Sequence, residues 1–329
     1  MEYVRLGSTG LRVSRLCLGT MTFGLQCDEQ QSHAILDTAY DAGITFLDTA
    51  DVYPVGGTVD TVGRTEEIIG RWMAGRRDDV IVATKAFASM SRRQWDRGTS
   101  RKHLLDGIDA SLRRLGTDYV DLYQLHGDDR STPLDETLAA LDTIVQSGRA
   151  RYVGCSNFLA YRLATALGRS DVRNIVRMVS VQPRYCLLWR GIERELLPLC
   201  EQEGLAVIPY NPLAGGLLSG KHQRSTAPAD GTRFTLGHAG KMYTERYWHD
   251  REFDTVDALR PFADELGISL ATLAVSWVLA NPTVTAPIIG ASKPEQLADS
   301  IAAASTPLSV DVKTALDHLT TDFLATDGF

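Results

Sequence analysis

The feature that most constrains this chain is a repeat of short apolar, β-branched runs, each followed by an amphipathic stretch with helix signals. Successive units are about 30 residues apart, except for a longer gap before the eighth run. Eight strand–helix units with right-handed crossovers close most naturally as a (β/α)8 barrel, the TIM barrel class of α/β fold. The alternative, an open doubly wound sheet, usually has fewer strands. The predicted strands are residues 16–19, 44–48, 80–85, 119–126, 152–156, 178–182, 206–210 and 286–290.

Other segments complete the predicted architecture. Residues 3–13 alternate around Ser-Thr-Gly, which is typical of a β-hairpin, and we expect it to plug the N-terminal mouth of the barrel. Residues 221–251 have little periodicity, so we expect a long loop at the C-terminal face. No linker divides the chain, and we expect residues 1–329 to form one domain. The predicted helices are residues 29–42, 66–73, 100–115, 134–147, 159–167, 191–203 and 256–266.

Composition and charge exclude several classes of protein. The 329 residues carry 34 Lys and Arg against 41 Asp and Glu, a net charge of -7 that argues against nucleic-acid binding. No apolar run is long enough to span a membrane, and the N-terminus does not resemble a secretory signal. The five cysteines form no C-x-x-C pair and His residues do not cluster with them, which favours free thiols in the cytoplasm and no metal site.

Four polar residues stand where predicted strands end and loops begin, the position of reacting groups in a barrel. Asp48, Lys85 and His126 end the second, third and fourth apolar runs, and Tyr53 follows five residues after Asp48. Taken singly, each has an ordinary structural interpretation: a capping aspartate, a lysine reaching solvent or a core histidine. Their occurrence together at neighbouring strand ends favours a shared function.

These residue types form a coherent device for moving a proton. A buried Lys85 ammonium needs a partner, and Asp48 is available. We expect the Lys85 cation to lower the pKa of the Tyr53 phenol and favour phenolate. A neutral His126 would orient a carbonyl oxygen beside Tyr53. Because no side chain can supply hydride, a nicotinamide cofactor is implied.

The chain resembles the aldo-keto reductase family, especially the branch that contains the potassium channel beta subunits and their bacterial NADPH-dependent relatives. The resemblance runs in order from about residue 3 to residue 305. It implies a (β/α)8 barrel that binds NADP(H) at its C-terminal face, with Tyr53, Asp48, Lys85 and His126 as the catalytic tetrad. The matching stretches are residues 18–24 (LGTMTFG), 46–53 (FLDTADVY), 81–85 (IVATK), 119–126 (YVDLYQLH), 154–158 (GCSNF), 209–221 (PYNPLAGGLLSGK) and 289–297 (IGASKPEQL).

The same resemblance implies a set of cofactor-binding residues. Ser156, Asn157 and Gln182 would bond the nicotinamide carboxamide, and Tyr210 would stack on the ring. Asn211 to Ala214 and Gly216 to Lys221 would wrap the pyrophosphate, where glycines allow close backbone approach and Lys221 supplies a positive charge. The full set also includes the first-loop residues Thr20, Met21 and Gln26, the tetrad residue Asp48, Pro212 and Leu213 of the pyrophosphate loop, Arg233 over the adenosine half, and the adenosine-phosphate residues Gly290, Ser292, Gln296 and Asp299.

Two positions depart from the family pattern. Ser300 stands where the family often has Asn, which removes one adenine contact, and Gln296 stands where other branches often have Arg or Lys. Lys293 remains available to a 2′-phosphate, and we favour NADPH over NADH. Residues 215–222 nearly spell a phosphate-binding P-loop, but His222 replaces the Ser or Thr that would bind Mg²⁺.

The sequence therefore predicts an NADPH-dependent reductase that converts an aldehyde or ketone into the alcohol, with Tyr53 as general acid. The alternative is a nucleotide-binding regulatory or partner-docking barrel with negligible turnover. The expected partner is a small carbonyl substrate, with no nucleic acid and no membrane. The sequence leaves open the oligomeric state and which loop aromatics, among Trp95, Trp189 and Trp248, line the pocket.

Overall fold

The computed structural model describes residues 1–325 and contains a sheet of eight parallel strands surrounded by helices, as predicted for the (β/α)8 class. In this sheet the last strand of the chain pairs with the first strand of the barrel, and the other strands follow one another in chain order. The strands are β1 (Tyr3–Arg5), β2 (Arg12–Ser14), β3 (Cys17–Gly19), β4 (Phe46–Asp48), β5 (Ile81–Ala86), β6 (Val120–Leu125), β7 (Ala150–Ser156), β8 (Met178–Gln182), β9 (Ala206–Val207) and β10 (Ile288–Ile289).

The last two strands of the barrel are shorter than predicted, because prolines interrupt them. Pro209 and Pro287 lie in the runs predicted as 206–210 and 286–290, and a proline cannot donate to a strand ladder. Single hydrogen bonds nevertheless join these segments: the Thr285 amide donates to Val207 at 2.8 Å and the Ile288 amide to Pro209 at 2.8 Å. With β10 paired to β3, these bonds close the ring.

Most predicted helices are present with small shifts at their ends. The prediction for 191–203 is wrong in part, since a single 3₁₀ turn precedes a helix that begins only at Leu196. The helix from Leu270 was not predicted, because nine of its ten residues are buried and it has no polar face to reveal a period. The helices are α1 (Glu29–Asp41), α2 (Arg64–Met73), α3 (Arg101–Leu115), α4 (Leu134–Gln146), α5 (Ala160–Arg173), α6 (Leu196–Glu203), α7 (Gly237–Tyr247), α8 (Asp250–Leu266), α9 (Leu270–Leu279), α10 (Leu297–Ala302) and α11 (Val310–Leu319).

The segment 221–251 is not the irregular loop that its composition predicted. It contains a 3₁₀ turn at Arg233–Thr235 followed by α7. The rings of Phe234 and Trp248 pack edge to face at 4.8 Å, and Trp248 also packs against His222. This aromatic cluster gives the segment its own small core, so Trp248 is occupied by packing within the segment.

The predicted hairpin forms between β1 and β2 and closes the lower end of the barrel. Its side chains Leu6 and Val13 are fully buried in one cluster with residues from inside the barrel, including Phe46, Leu122 and Ile208. A second and larger cluster fills the space between the strands and the surrounding helices. The barrel interior is therefore plugged at one end, and only the C-terminal ends of the strands remain for a site.

Two negative findings concern residues 1–325. No single helix there is long and apolar enough to cross a membrane, although α8 and α9, bent by 90° at their junction, would together reach that length and composition. No group of three or more metal-ligating side chains occurs in this part of the chain. The five cysteines are free and buried.

A buried ion pair joins helices α2 and α3 to each other and to strand β5 of the barrel. Glu66 of α2 is fully buried and lies 2.6 Å from the Arg114 guanidinium of α3. Thr84 of β5 donates its hydroxyl to the same carboxylate at 2.5 Å. Removing the arginine would leave a carboxylate without its counter-charge inside the protein.

We therefore expect Arg114→Met to lower the free energy of unfolding by about 3–5 kcal/mol, measured by urea denaturation. Arg71→Met is the matched control, since Arg71 pairs with Glu29 on the surface, where the side chains are 51% and 45% exposed, and should change stability little. Equal effects of the two substitutions would contradict the assigned role of burial.

Candidate active site

A buried ion pair lies at the C-terminal ends of β4 and β5. The Lys85 ammonium is 2.6 Å from an oxygen of Asp48, and their side chains are 0% and 4% exposed. Lys85 also donates to the carbonyl of Thr49 at 2.8 Å. Burial acts to lower the pKa of Lys85, but Asp48 and then Tyr53 outweigh it, so the pKa is raised and the ammonium form is kept.

The other oxygen of Asp48 is held by two amides from neighbouring strands. Gln182 donates to it at 2.8 Å from the end of β8, and Gln124 at 3.3 Å from β6. Gln124 lies opposite Lys85 in the register of β5 and β6. The carboxylate thus has three donors, which fix its orientation inside the barrel.

Tyr53 lies on the loop after β4 and is 9% exposed. Its ring centroid is 5.1 Å from the Lys85 ammonium and 5.7 Å from the His126 ring. The predicted lowering of the phenol pKa is wrong. Burial raises the pKa of Tyr53 to about 12, and the Lys85 cation opposes this only in part. The phenol therefore carries its proton at neutral pH.

His126 follows β6 and faces the same space. Burial, and then the nearby Lys85 cation, lower the pKa of His126 to about 3, so the imidazole is neutral as the sequence predicted. Tyr53, Lys85, Asp48 and His126 come together around one point at the mouth of the barrel. A protonated phenol and a neutral imidazole there can both offer a hydrogen bond to one oxygen atom.

The residues predicted to hold the nicotinamide form a connected network next to this point. Tyr210 donates its hydroxyl to the Asn157 side-chain oxygen at 2.9 Å. The amide of Asn157 donates to the His126 carbonyl at 3.0 Å and to the Ser156 hydroxyl at 3.0 Å. Ser156 in turn donates to the Gln182 carbonyl at 2.8 Å. The structure thus brings all four together with the tetrad.

The predicted pyrophosphate loop follows β9 and turns through several left-handed residues. Asn211, Ala214 and Gly216 have φ values of 61°, 49° and 105°. Pro212 and Leu213 lie between the first two, and two short helical turns within Ala214–Ser219 are separated by a kink at Gly215 and Gly216. The buried side-chain amide nitrogen of Asn211 has no hydrogen-bond partner among residues 1–325.

Two cations lie over this loop. Burial and the positive charge of Arg233 lower the pKa of Lys221. Among residues 1–325, Arg233 donates hydrogen bonds only to weak acceptors, the Met21 sulfur and the Tyr243 hydroxyl, each at 3.2 Å. A side-chain carbon added at Gly290 would lie 3.2 Å from the Arg233 guanidinium, so this arginine reaches the turn after β10.

The remaining predicted cofactor residues lie on the first and last loops. Thr20 is buried and donates to the Asp48 carbonyl at 2.9 Å, while Gln26 donates to the Gly231 carbonyl at 3.0 Å. The Ser292 amide and hydroxyl bond the Gln296 side-chain oxygen at 2.9 and 3.2 Å. Asp299 is exposed in α10.

These residues fit an extended, negatively charged ligand. The positive charges of Lys221 and Arg233 repel each other, and the buried Asn211 amide nitrogen has no hydrogen-bond partner among residues 1–325. Glycine at 216 leaves the backbone of the loop uncovered on the same side. A dinucleotide with its pyrophosphate against this loop would supply the missing acceptors.

Sequence reasoning missed several residues of the site. Gln124 was inside a predicted strand, and its inward direction was readable from the alternation with Tyr123, although its bond to Asp48 was not. Tyr243 was hidden because its helix lay in a segment predicted to be loop. Asp51, three residues after Asp48 in the chain, was not singled out either: it is fully buried, and burial followed by the charge of Glu66 raises its pKa well above the usual range.

Comparison with known proteins agrees with this geometry. The model of the aldo/keto reductase family matches residues 15–320. The chain therefore belongs to the aldo/keto reductase family, whose members are oxidoreductases that generally use NAD(P)H.

Relatives cover nearly the whole chain. An uncharacterized oxidoreductase, YrpG, of Bacillus subtilis is 42% identical over 97% of this chain and 96% of its own length. A probable voltage-gated potassium channel subunit beta of Oryza sativa is 39% identical over 92% of this chain and 91% of its own. L-glyceraldehyde 3-phosphate reductase of Escherichia coli is 35% identical over 92% of this chain and 87% of its own.

Replacing the buried lysine tests the ion pair. We expect Lys85→Met to lower the free energy of unfolding by about 3–5 kcal/mol, because Asp48 then keeps a buried charge without its partner. The double variant Lys85→Met/Asp48→Asn should recover part of that loss in a urea denaturation series. Lys102→Met is the control, since Lys102 and Asp106 form an exposed pair. No recovery in the double variant would contradict the pairing.

His126 gives a pH prediction. The imidazole takes up a proton near 6.5 in the unfolded chain, but only at about 3 in the folded protein. The unfolded state therefore binds more protons between these values, and the native state loses stability as pH falls from 6.5 towards 3. His126→Gln should lose less stability than the wild type between pH 8 and pH 5 in urea titrations. An equal loss would show that His126 titrates normally.

Proposed function

We propose that this protein reduces an aldehyde or ketone to the alcohol with NADPH, using Tyr53 as the general acid. The observation that carries the proposal is the protonated, buried Tyr53 phenol beside the Lys85–Asp48 pair and the neutral His126. This set places a proton donor, Tyr53, and a second hydrogen-bonding group, His126, where both can reach one oxygen atom.

Each member of the tetrad has a separate task. Tyr53 and His126 hydrogen-bond the carbonyl oxygen, and Tyr53 passes its proton to that oxygen as the carbon is reduced. The Lys85 ammonium stabilises the phenolate that remains, and Asp48 holds the ammonium in place. When held by the cofactor residues, NADPH would supply hydride to the carbonyl carbon. The Tyr53 phenolate recovers a proton from solvent, which completes the balance.

The cofactor residues follow from the same proposal. Ser156, Asn157, Gln182 and Tyr210 would bind the nicotinamide end next to the tetrad. Lys221 and Arg233 would neutralise the phosphates. The rest of the proposed set is Thr20, Met21, Gln26, Asp48, Asn211, Pro212, Leu213, Ala214, Gly216, Gly290, Ser292, Gln296 and Asp299.

We propose NADPH over NADH because Lys293 adjoins Ser292 and Gln296 on the adenosine side. A strongly selective arginine or lysine is absent at position 296 itself, so the expected preference is modest. The five cysteines are free and buried, which favours a reducing compartment, and we propose that the protein is located in the cytoplasm.

The second candidate function is a nucleotide-binding regulatory barrel with negligible turnover. It is favoured by the relative named as a probable potassium channel beta subunit. The two functions separate in one assay: NADPH oxidation, followed by absorbance, with a panel of small aldehydes and ketones. Repeated turnover supports the reductase, whereas oxidation that stops at one NADPH per protein supports the regulatory barrel.

Tyr53→Phe is the sharpest variant for the mechanism. It keeps the ring but removes the transferable proton, so turnover should fall by about 10²–10⁴-fold, while NADPH affinity by fluorescence titration should survive. Tyr3→Phe is the control, since that hydroxyl lies in the hairpin and bonds the Gly43 carbonyl. If Tyr53→Phe kept more than about a tenth of wild-type turnover, the proton would have to come from elsewhere, with His126 the next candidate.

A further inference from the structure

Arg184 is an unusual buried cation. It follows β8 by two residues, and only 2% of its surface is exposed. Within the described chain, its Nε and Nη1 atoms have no hydrogen-bond partner. Burial lowers the pKa of Arg184 most, and its nearest ionisable neighbours include the Tyr247 phenol, the Arg246 cation and the Tyr210 phenol.

A second buried arginine in the same segment shows how this fold satisfies a structural guanidinium. Arg190 is 4% exposed, and its Nε and Nη2 bond the two carboxylate oxygens of Glu193 at 2.8 and 2.9 Å. Its Nη1 bonds the Asp317 carbonyl at 2.7 Å and the Thr320 hydroxyl at 2.8 Å. Arg184 has nothing comparable, and an uncompensated buried charge of this kind is strongly destabilising.

Arg184 lies beside the proposed reaction site. The backbone on either side of it bonds that of Tyr210, at 2.9 and 3.2 Å. Tyr210 is linked through Asn157 to the backbone of His126. The backbone of Arg184 is therefore one strand end away from that of His126.

The surroundings of Arg184 are aromatic and include a second cation. Its guanidinium carbon lies 3.2 Å from the Trp189 ring centroid and 5.9 Å from that of Tyr247. The Tyr247 hydroxyl is buried within reach of the Cys186 thiol, which is a weak acceptor, and it has no stronger hydrogen-bond partner within residues 1–325. Arg246 adds a second cation close enough to lower the pKa of Arg184, after the larger effect of burial. Aromatic rings thus lie against the Arg184 guanidinium, while its Nε and Nη1 donors have no acceptor within residues 1–325.

We propose that Arg184 and Arg246, with the Tyr247 hydroxyl, form a subsite for an anionic group, a carboxylate or a phosphate, on the carbonyl substrate. A guanidinium edge matches two oxygens of such a group, and an aromatic face holds the guanidinium in a fixed plane. This inference rests on the proposed reductase function and narrows its substrate class to carbonyl compounds that carry a negative charge.

Matched aldehydes test the charge requirement. For wild type, kcat/KM is compared for 4-carboxybenzaldehyde and benzaldehyde, and for glyceraldehyde 3-phosphate and glyceraldehyde. The charged member of at least one pair should be preferred, and that pair identifies carboxylate or phosphate. Arg184→Met should reduce the preference by about 10- to 100-fold, and Arg246→Met should reduce it less. Arg151→Met is the control, because Arg151 stacks similarly on Tyr119, at 4.0 Å, but is exposed at the start of β7, away from the site.

A binding measurement separates this inference from the proposed function. Calorimetry compares benzoate with neutral benzamide, and inorganic phosphate alone, on wild type and the three variants. Anion binding that is lost in Arg184→Met supports the subsite even if no aldehyde is reduced, in which case only the proposed function fails. Equal kcat/KM within both wild-type pairs, or anion binding unchanged in Arg184→Met, overturns the subsite.

Stability distinguishes binding from a structural role. Since Arg184→Met removes an uncompensated buried cation and keeps an apolar stem on Trp189, its urea midpoint should equal or exceed that of the wild type. A large fall in that midpoint, with the substrate preference unchanged in Arg246→Met, would make Arg184 a structural residue and overturn the proposal.

Discussion

The Lys85–Asp48 ion pair is the interaction on which the active end of this barrel depends. A lysine with no solvent exposure would lose its proton unless a carboxylate held it, and Asp48 does so from the neighbouring strand. The carboxylate is itself fixed by Gln182 and Gln124. Three strands besides that of the lysine thus contribute to one charge, and the parallel register of the sheet brings their ends together.

Much of this arrangement was readable from the sequence because parallel strands place their C-terminal ends at one edge. Asp48, Lys85 and His126 each ended an apolar run, so their proximity followed once the barrel was inferred. The environment of Tyr53 was not readable in the same way. The sequence showed a cation near the phenol but not the extent of its burial, and burial has the larger effect on its pKa.

The rest of the fold was hidden where the usual periodic signals fail. The helix from Leu270 is buried almost all round and has no polar stripe, whereas α7 lies in a segment whose glycines and histidines suggested a loop. The sequence also could not show that the Nε and Nη1 atoms of Arg184 lack hydrogen-bond partners in the described chain, because Arg184 and Arg190 are the same residue type in the same segment. Only the three-dimensional neighbours show that Glu193 satisfies the second and not the first.

The hairpin that contains Leu6 and Val13 closes the barrel at its N-terminal end, because both side chains are buried inside it. Any molecule that reaches the Lys85–Asp48 pair must pass the rim formed by the loops after the strands, and must leave by the same route. Two ligands that enter through the same opening cannot bind and dissociate independently. The ligand that lies deeper has to bind first and dissociate last. A two-stranded hairpin at the bottom of the barrel, far from any reacting atom, therefore fixes the order in which two such ligands bind and leave.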